Sequence, residues 1–147
     1  MNIKTTAIVL ATVAGLFATG CSSVRNTVPL EPVTITGQAS GSLTTPEKML
    51  ACAELASMRC HMTKVSSNDS TLVTCLDYPR CQIRFTATFS IGQDLSYTIA
   101  LKEIQMEGKG HNYTVSYINR VLNKWARDIQ NTMQNSQVSL LQSQLAQ

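Results

Sequence analysis

The run Ile83-Arg84-Phe85-Thr86-Ala87-Thr88-Phe89-Ser90-Ile91-Gly92-Gln93-Asp94-Leu95-Ser96-Tyr97-Thr98-Ile99-Ala100-Leu101-Lys102 is the most strongly patterned in the chain. Ile83, Phe85, Ala87, Phe89 and Ile91 alternate with Arg84, Thr86, Thr88 and Ser90, which is the period of a strand with one dry and one wet face. Gly92-Gln93-Asp94 reverses the chain. Leu95, Tyr97, Ile99 and Leu101 then alternate in the same way, opposite Ser96, Thr98, Ala100 and Lys102. After Glu103 the apolar positions change parity to Ile104 and Met106, which marks a bulge or the end of pairing.

Upstream, His61–Ser67 and Thr71–Leu76 read as two more strands, joined by Asn68-Asp69-Ser70. Asp77-Tyr78-Pro79-Arg80 turns the second of them into Ile83, with Pro79 fixing φ. Three tight reversals give an antiparallel meander. A helix over 44–58 precedes it: Thr44 is placed to cap, Glu47 sits three residues on, and Pro46 suits the first turn. Met49, Cys52, Ala53, Ala56 and Cys60 give that helix a narrow face of small residues, suited to close packing. A second helix, 115–134, follows Gly108-Lys109-Gly110, with Ile118, Val121, Leu122, Trp125, Ile129 and Met133 as its apolar stripe. Trp125, the only tryptophan, is expected to be a core anchor. The expected fold is therefore α+β: a four-stranded antiparallel meander with two helices on one face, in the order α-β-β-β-β-α. The other sheet face is rich in Thr, Ser, Arg and Lys.

The N-terminus carries an address. Lys4 precedes an apolar run, Ala7–Phe17, too short for a membrane span and typical of a secretory signal. Leu16-Phe17-Ala18-Thr19-Gly20-Cys21 resembles the lipobox of bacterial lipoproteins, although Ala18 stands where that family prefers leucine. The resemblance implies lipidation of the Cys21 thiol, cleavage before Cys21 and acylation of the new amine. Ser22, rather than Asp, then implies sorting to the outer membrane, most simply facing the periplasm. On this reading residues 1–20 are a signal peptide, 21–43 a lipidated tether rich in Pro, Gly, Ser and Thr, 44–134 the domain, and 135–147 a Ser/Gln-rich tail. Val33-Thr34-Ile35-Thr36 is an alternative edge strand inside the tether. Val138, Leu141 and Leu145 fall at helical spacing, out of register with Ile129 and Met133; the tail is either a frayed end, the favoured reading, or a short segment that docks a partner.

Loss of Lys4 with the signal leaves 11 Lys and Arg against 9 acidic residues, a net charge near +2 without a concentrated basic run. That argues against nucleic-acid binding. Cys52, Cys60, Cys75 and Cys81 remain after Cys21, an even number suited to two disulfides in an oxidising compartment. Meander geometry sets Cys75 opposite Thr63, and Cys52 and Cys60 lie about 12 Å apart on one helix, too far to bridge. Cys52–Cys75 and Cys60–Cys81 are the expected bridges, with a Cys75–Cys81 clasp as the runner-up.

No nucleophile elbow, phosphate loop or paired-histidine metal motif is present in the sequence. His61 and His111 read as loop or surface histidines, and neither a metal nor a cofactor is expected. Beyond the lipobox, residues 44–147 suggest no family. The function expected is non-enzymatic: an outer-membrane lipoprotein serving as an accessory, assembly or stabilising component of a cell-envelope complex of the secretion, pilus or conjugation type. Its expected partners are the membrane, through the lipid, and an envelope protein. The alternative is a periplasmic binder of a small or lipidic ligand. A hydrolase or redox enzyme would require His61 or His111 to meet a carboxylate or a free cysteine.

Overall fold

A computed structural model describes residues 31–39 and 45–145, with side chains through 136. Cys21 and residues 1–20, read as a signal peptide, lie outside the described residues. In chain order the elements are β1 (Ile35–Gln38), α1 (Pro46–Arg59), β2 (Thr63–Ser67), β3 (Thr71–Tyr78), a 3-10 turn (Pro79–Cys81), β4 (Ile83–Ile91), β5 (Ser96–Met106) and α2 (His111–Leu145). One antiparallel sheet runs β1-β5-β4-β3-β2, with both helices on one face. The α+β class holds, but the sheet has five strands rather than four. The added strand is β1, inside the stretch read as tether and two residues beyond the alternative at Val33–Thr36. Ile35 pairs with Ile99 and Gly37 with Tyr97, covering the outer edge of β5. Gly37 permits this approach, because a Cβ there would stand 2.3 Å from the Tyr97 ring.

The patterned run forms β4 and β5 as expected, and the change of parity has a local cause. Thr86 pairs with Glu103 but Ala87 with Leu101, so Lys102 is an extra residue on β5. A second bulge follows, since Phe85 pairs with Ile104 and Arg84 with Met106, leaving Gln105 unmatched. Each bulge turns the strand over by one position. Ile104 is thereby returned to the core side, whereas Met106 emerges beside Arg84 and is exposed.

Helix boundaries differ from the sequence reading for physical reasons. Thr45 caps α1, its Oγ1 accepting from the Lys48 amide at 3.3 Å; Thr44, read as the cap, lies outside the described residues. At the other end His61 adopts a left-handed backbone, φ 59°, so β2 begins at Thr63 rather than at His61. The tail favoured as a frayed end instead continues α2 as helix to Leu145. Residues 111–145 contain neither Gly nor Pro to stop it. The side chains of Val138, Leu141 and Leu145 lie outside the described residues.

The core lies between the helices and the sheet. Phe85, Phe89, Tyr97 and Ile99 meet Ile118, Leu122, Trp125 and Ile129 of α2. The small-residue face of α1 admits α2 closely enough for Trp125 Nε1 to donate to the Ala53 carbonyl at 2.9 Å, with the indole 6.3 Å from the Phe89 ring. Trp125 is fully buried and is the core anchor the sequence suggests. The opposite face of the sheet is hydroxyl-rich: Thr36, Thr98, Ser90 and Thr71 stand side by side across four strands.

Candidate functional site

The loop after β5 and the turn after β3 are held together at one end of the sheet. Thr114, buried, donates through its hydroxyl to the carbonyls of Gly108 (3.1 Å) or Gly110 (3.0 Å), which pins the start of α2 to that loop. Gly108 sits against the Cys81 backbone so tightly that a Cβ would stand 1.6 Å from the Cys81 carbonyl oxygen. The first turns of α2 therefore stand beside the β3–β4 reversal. Tyr78 at the end of β3 stacks on Tyr117 with centroids 5.7 Å apart and planes 10° from parallel. Arg120 lies over the Tyr117 ring at 5.1 Å, and Lys109 over the Tyr113 ring at 5.6 Å.

Three of the four tyrosines thus share one surface with two cations. Among the described residues, the ion pairs are Lys64–Glu54, Arg84–Asp77, His111–Glu107 and Lys124–Asp128; Arg80, Lys109 and Arg120 belong to none of them. A hollow of about 250 Å³ opens between Tyr113, Ser116, Tyr117 and Arg120. Contact with Cys81, whose Sγ is 3.9 Å from the phenolic oxygen, pushes the Tyr113 phenol up; burial does the same to Tyr117. Both phenols stay neutral in ordinary buffers. The surface offers π faces, hydroxyls and uncompensated positive charge, the means to hold anions.

The cysteines do not form the expected bridges; all four are free thiols. Cys75 alternates with Leu72, Thr74 and Leu76, which face the helices, so it lies on the opposite face of β3 from the buried Cys52. Cys75 does sit opposite Thr63, as expected, but the sheet separates it from Cys52. Cys60 and Cys81 lie at different levels of α2. Cys60 Sγ is 3.6 Å from Lys124 Nζ and 3.8 Å from Asp128 Oδ2, whereas Cys81 meets Tyr113. From Tyr113 to Lys124 the helix rises about 16 Å, more than twice the reach of a disulfide between Cα atoms. The runner-up Cys75–Cys81 clasp is also unformed, since Cys81 is drawn into the 3-10 turn.

Cys60 has neither histidine as a partner. Burial pushes its thiol up, with the Lys124 ammonium pulling it back and Asp128 raising it again. Lys124 is committed elsewhere, at 2.6 Å from Asp128 and 3.2 Å from the Arg59 carbonyl. The set reads as a tie between the end of α1 and the middle of α2. His61 is exposed, and His111 Nδ1 lies 2.8 Å from Glu107, the carboxylate contact that the enzyme reading requires, in a pair exposed on the surface at the start of α2. Among the described residues no group of His, Cys, Asp or Glu is arranged to hold a metal.

The tyrosine surface was not singled out from sequence. Its signal is present: Tyr113, Tyr117 and Arg120 recur at four and three residues, a stripe on the polar side of α2. Tyr78, 35 residues before Tyr113, joins it only through the fold. The chain matches no protein-family model, and no curated protein is significantly similar to it.

Proposed function

We propose that the chain is a lipid-anchored accessory component of a cell-envelope complex, of the secretion, pilus or conjugation type, acting by protein contact rather than turnover. Acylated Cys21 holds it at the outer membrane, facing the periplasm. The observation that carries the contact role is a group of exposed apolar side chains beside a free sheet edge. Leu55 and Met58 on α1 and Val65 on β2 are 45%, 64% and 58% exposed, next to the Glu54–Lys64 pair that joins the two elements. All five residues of β2 are exposed, and β2 is the last strand of the sheet. An open edge flanked by apolar groups suits a protein partner that adds a strand or packs on the helix. Val138, Leu141 and Leu145, apolar at helical spacing in the sequence, are a second segment through which such a partner would dock.

Site-specific photocrosslinking in cells tests this. A crosslinking residue at position 58 or 65 is expected to give a discrete adduct with an envelope protein, absent from position 98 on the hydroxyl-rich face. Equal yields at all three positions, or adducts at none, would sink the contact role.

The ligand-binding alternative has one observation in its favour, a cleft of about 750 Å³ between the start of α1 and the β2–β3 turn, with Leu50 and Leu72 on its wall. Native mass spectrometry of protein purified from membranes reads it: a co-purifying small molecule supports that alternative, and a clean polypeptide mass opposes it.

A further inference from the structure

We propose that the end of the molecule bearing Tyr78, Arg80, Lys109, Tyr113, Tyr117 and Arg120 rests on the bilayer, its cations binding the phosphate headgroups of anionic phospholipids. This deepens the functional reading above, since it takes acylated Cys21 as the anchor. Three independent observations converge on it.

The first is chain direction. β1 runs antiparallel to β5 with Ile35 opposite Ile99, so residues upstream of Ile35 head toward Met106, the end of β5 from which α2 begins. The Val33 amide is fixed there, donating to Asn119 Oδ1 at 2.8 Å, two residues from Tyr117 and one from Arg120. Nine residues lie between Cys21 and Glu31, so the chain between them can reach about 36 Å at most. The eleven residues of β5 cover about 36 Å. The described chain therefore enters the domain from this end, the side from which Cys21 is joined to it.

The second is charge. Arg80, Lys109 and Arg120 stand without acidic partners among the described residues. The carboxylates at this end are Asp77, paired with Arg84, Glu107, paired with His111, and Glu103, against the cations Arg80, Arg84, Lys102, Lys109 and Arg120. The opposite end, at the start of α1 and the β2–β3 and β4–β5 turns, carries Glu47, Asp69 and Asp94 against Lys48. An anionic surface attracts the first end and repels the second. The third is side-chain chemistry. Tyrosine is at home at the headgroup level, where its ring and hydroxyl meet different surroundings, and each cation near an anionic leaflet gains about fivefold in affinity.

The test uses full-length protein purified from membranes in detergent and added to preformed vesicles of phosphatidylcholine, with or without about 30% phosphatidylglycerol. A water-soluble amine-acylating reagent is applied, and modification of Lys109, Lys48 and Lys64 is followed by peptide mass mapping. Lys109 is expected to react about threefold more slowly on the anionic vesicles, with Lys48 and Lys64 unchanged. About 0.5 M NaCl restores its rate, because screening shortens the field to a few ångströms. The surface variant Arg80→Gln/Arg120→Gln is expected to lose most of the protection. Equal Lys109 rates on the two lipids overturn the proposal. Protection in native membranes but not on phosphatidylglycerol also overturns it, and assigns the face to a protein instead. Flotation with pure phosphatidylcholine reads the anchor alone. Protein that fails to float there, yet shows Lys109 protection on anionic vesicles, removes the acylation and keeps the headgroup site.

Discussion

Replacement of Trp125 by alanine is expected to cost about 3–5 kcal/mol, the range for removing a fully buried large aromatic. The contacts explain the size. The indole lies between Ala53 on α1 and Phe89 on β4, so its loss opens a void where helix, helix and sheet meet. The backbone on either side is held by α1, α2 and a central strand, which limits collapse into the space. Loss of the Nε1 bond to the Ala53 carbonyl adds about 1 kcal/mol. For a domain of this size, with about 5–15 kcal/mol in total, the variant stands near the threshold of folding. Trp125→Phe keeps most of the packing and loses the bond, and is expected to cost about 1–2 kcal/mol. Urea unfolding followed by far-UV circular dichroism is the suitable assay, because the only tryptophan is the residue removed. A loss for Trp125→Ala below about 1.5 kcal/mol, with an unchanged denaturant slope, would refute the placement of Trp125 as the anchor of the core.

Gly108→Ala is expected to destabilise by about 2–3 kcal/mol, since its Cβ would meet Cys81 backbone rather than a movable side chain; a melting temperature within 2 °C or so of the parent would contradict that contact. Thr45→Ala should cost about 1 kcal/mol and Thr45→Ser little, and equal losses for both would argue against the cap. In native protein Cys75 and Cys81 are expected to alkylate first, with Cys52 and Cys60 slow because burial pushes their thiols up from 9.0. The folded state then holds protons that the unfolded chain releases, so the contribution of these two thiols to stability is constant below about pH 8 and falls as pH climbs past 9.0 toward the folded values. A Cys52–Cys75 or Cys60–Cys81 peptide in non-reducing mapping would overturn the free-thiol geometry.

Period-two alternation carries through to β4 and β5 because nothing in that stretch competes with it. The apolar stripe of α2 carries through for the same reason: Trp125, Ile118 and Ile129 have one face to bury and one sheet to bury it on. β1 was legible only as an option, because four residues of which three are small or polar cannot outweigh the surrounding Pro and Gly without knowing that β5 has an open edge. The Cys52–Cys75 bridge failed on parity, and Cys60–Cys81 on distance along α2. Counting residues placed Cys75 correctly opposite Thr63, but the burial of Leu72, Thr74 and Leu76 put it on the far side of the sheet from Cys52. Register along one pair of strands says nothing about which face a helix covers. The tyrosine surface was hidden for a related reason, since it joins Tyr78 to Tyr113 and Tyr117 across a contact that no local spacing encodes.

Mass spectrometry of the N-terminal peptide from membrane-extracted protein bears on the whole account. The expected species begins at Cys21 and carries a diacylglyceryl thioether and an acylated amine. A soluble protein with an unmodified thiol at Cys21 would contradict the lipid anchor and, with it, the role at the envelope.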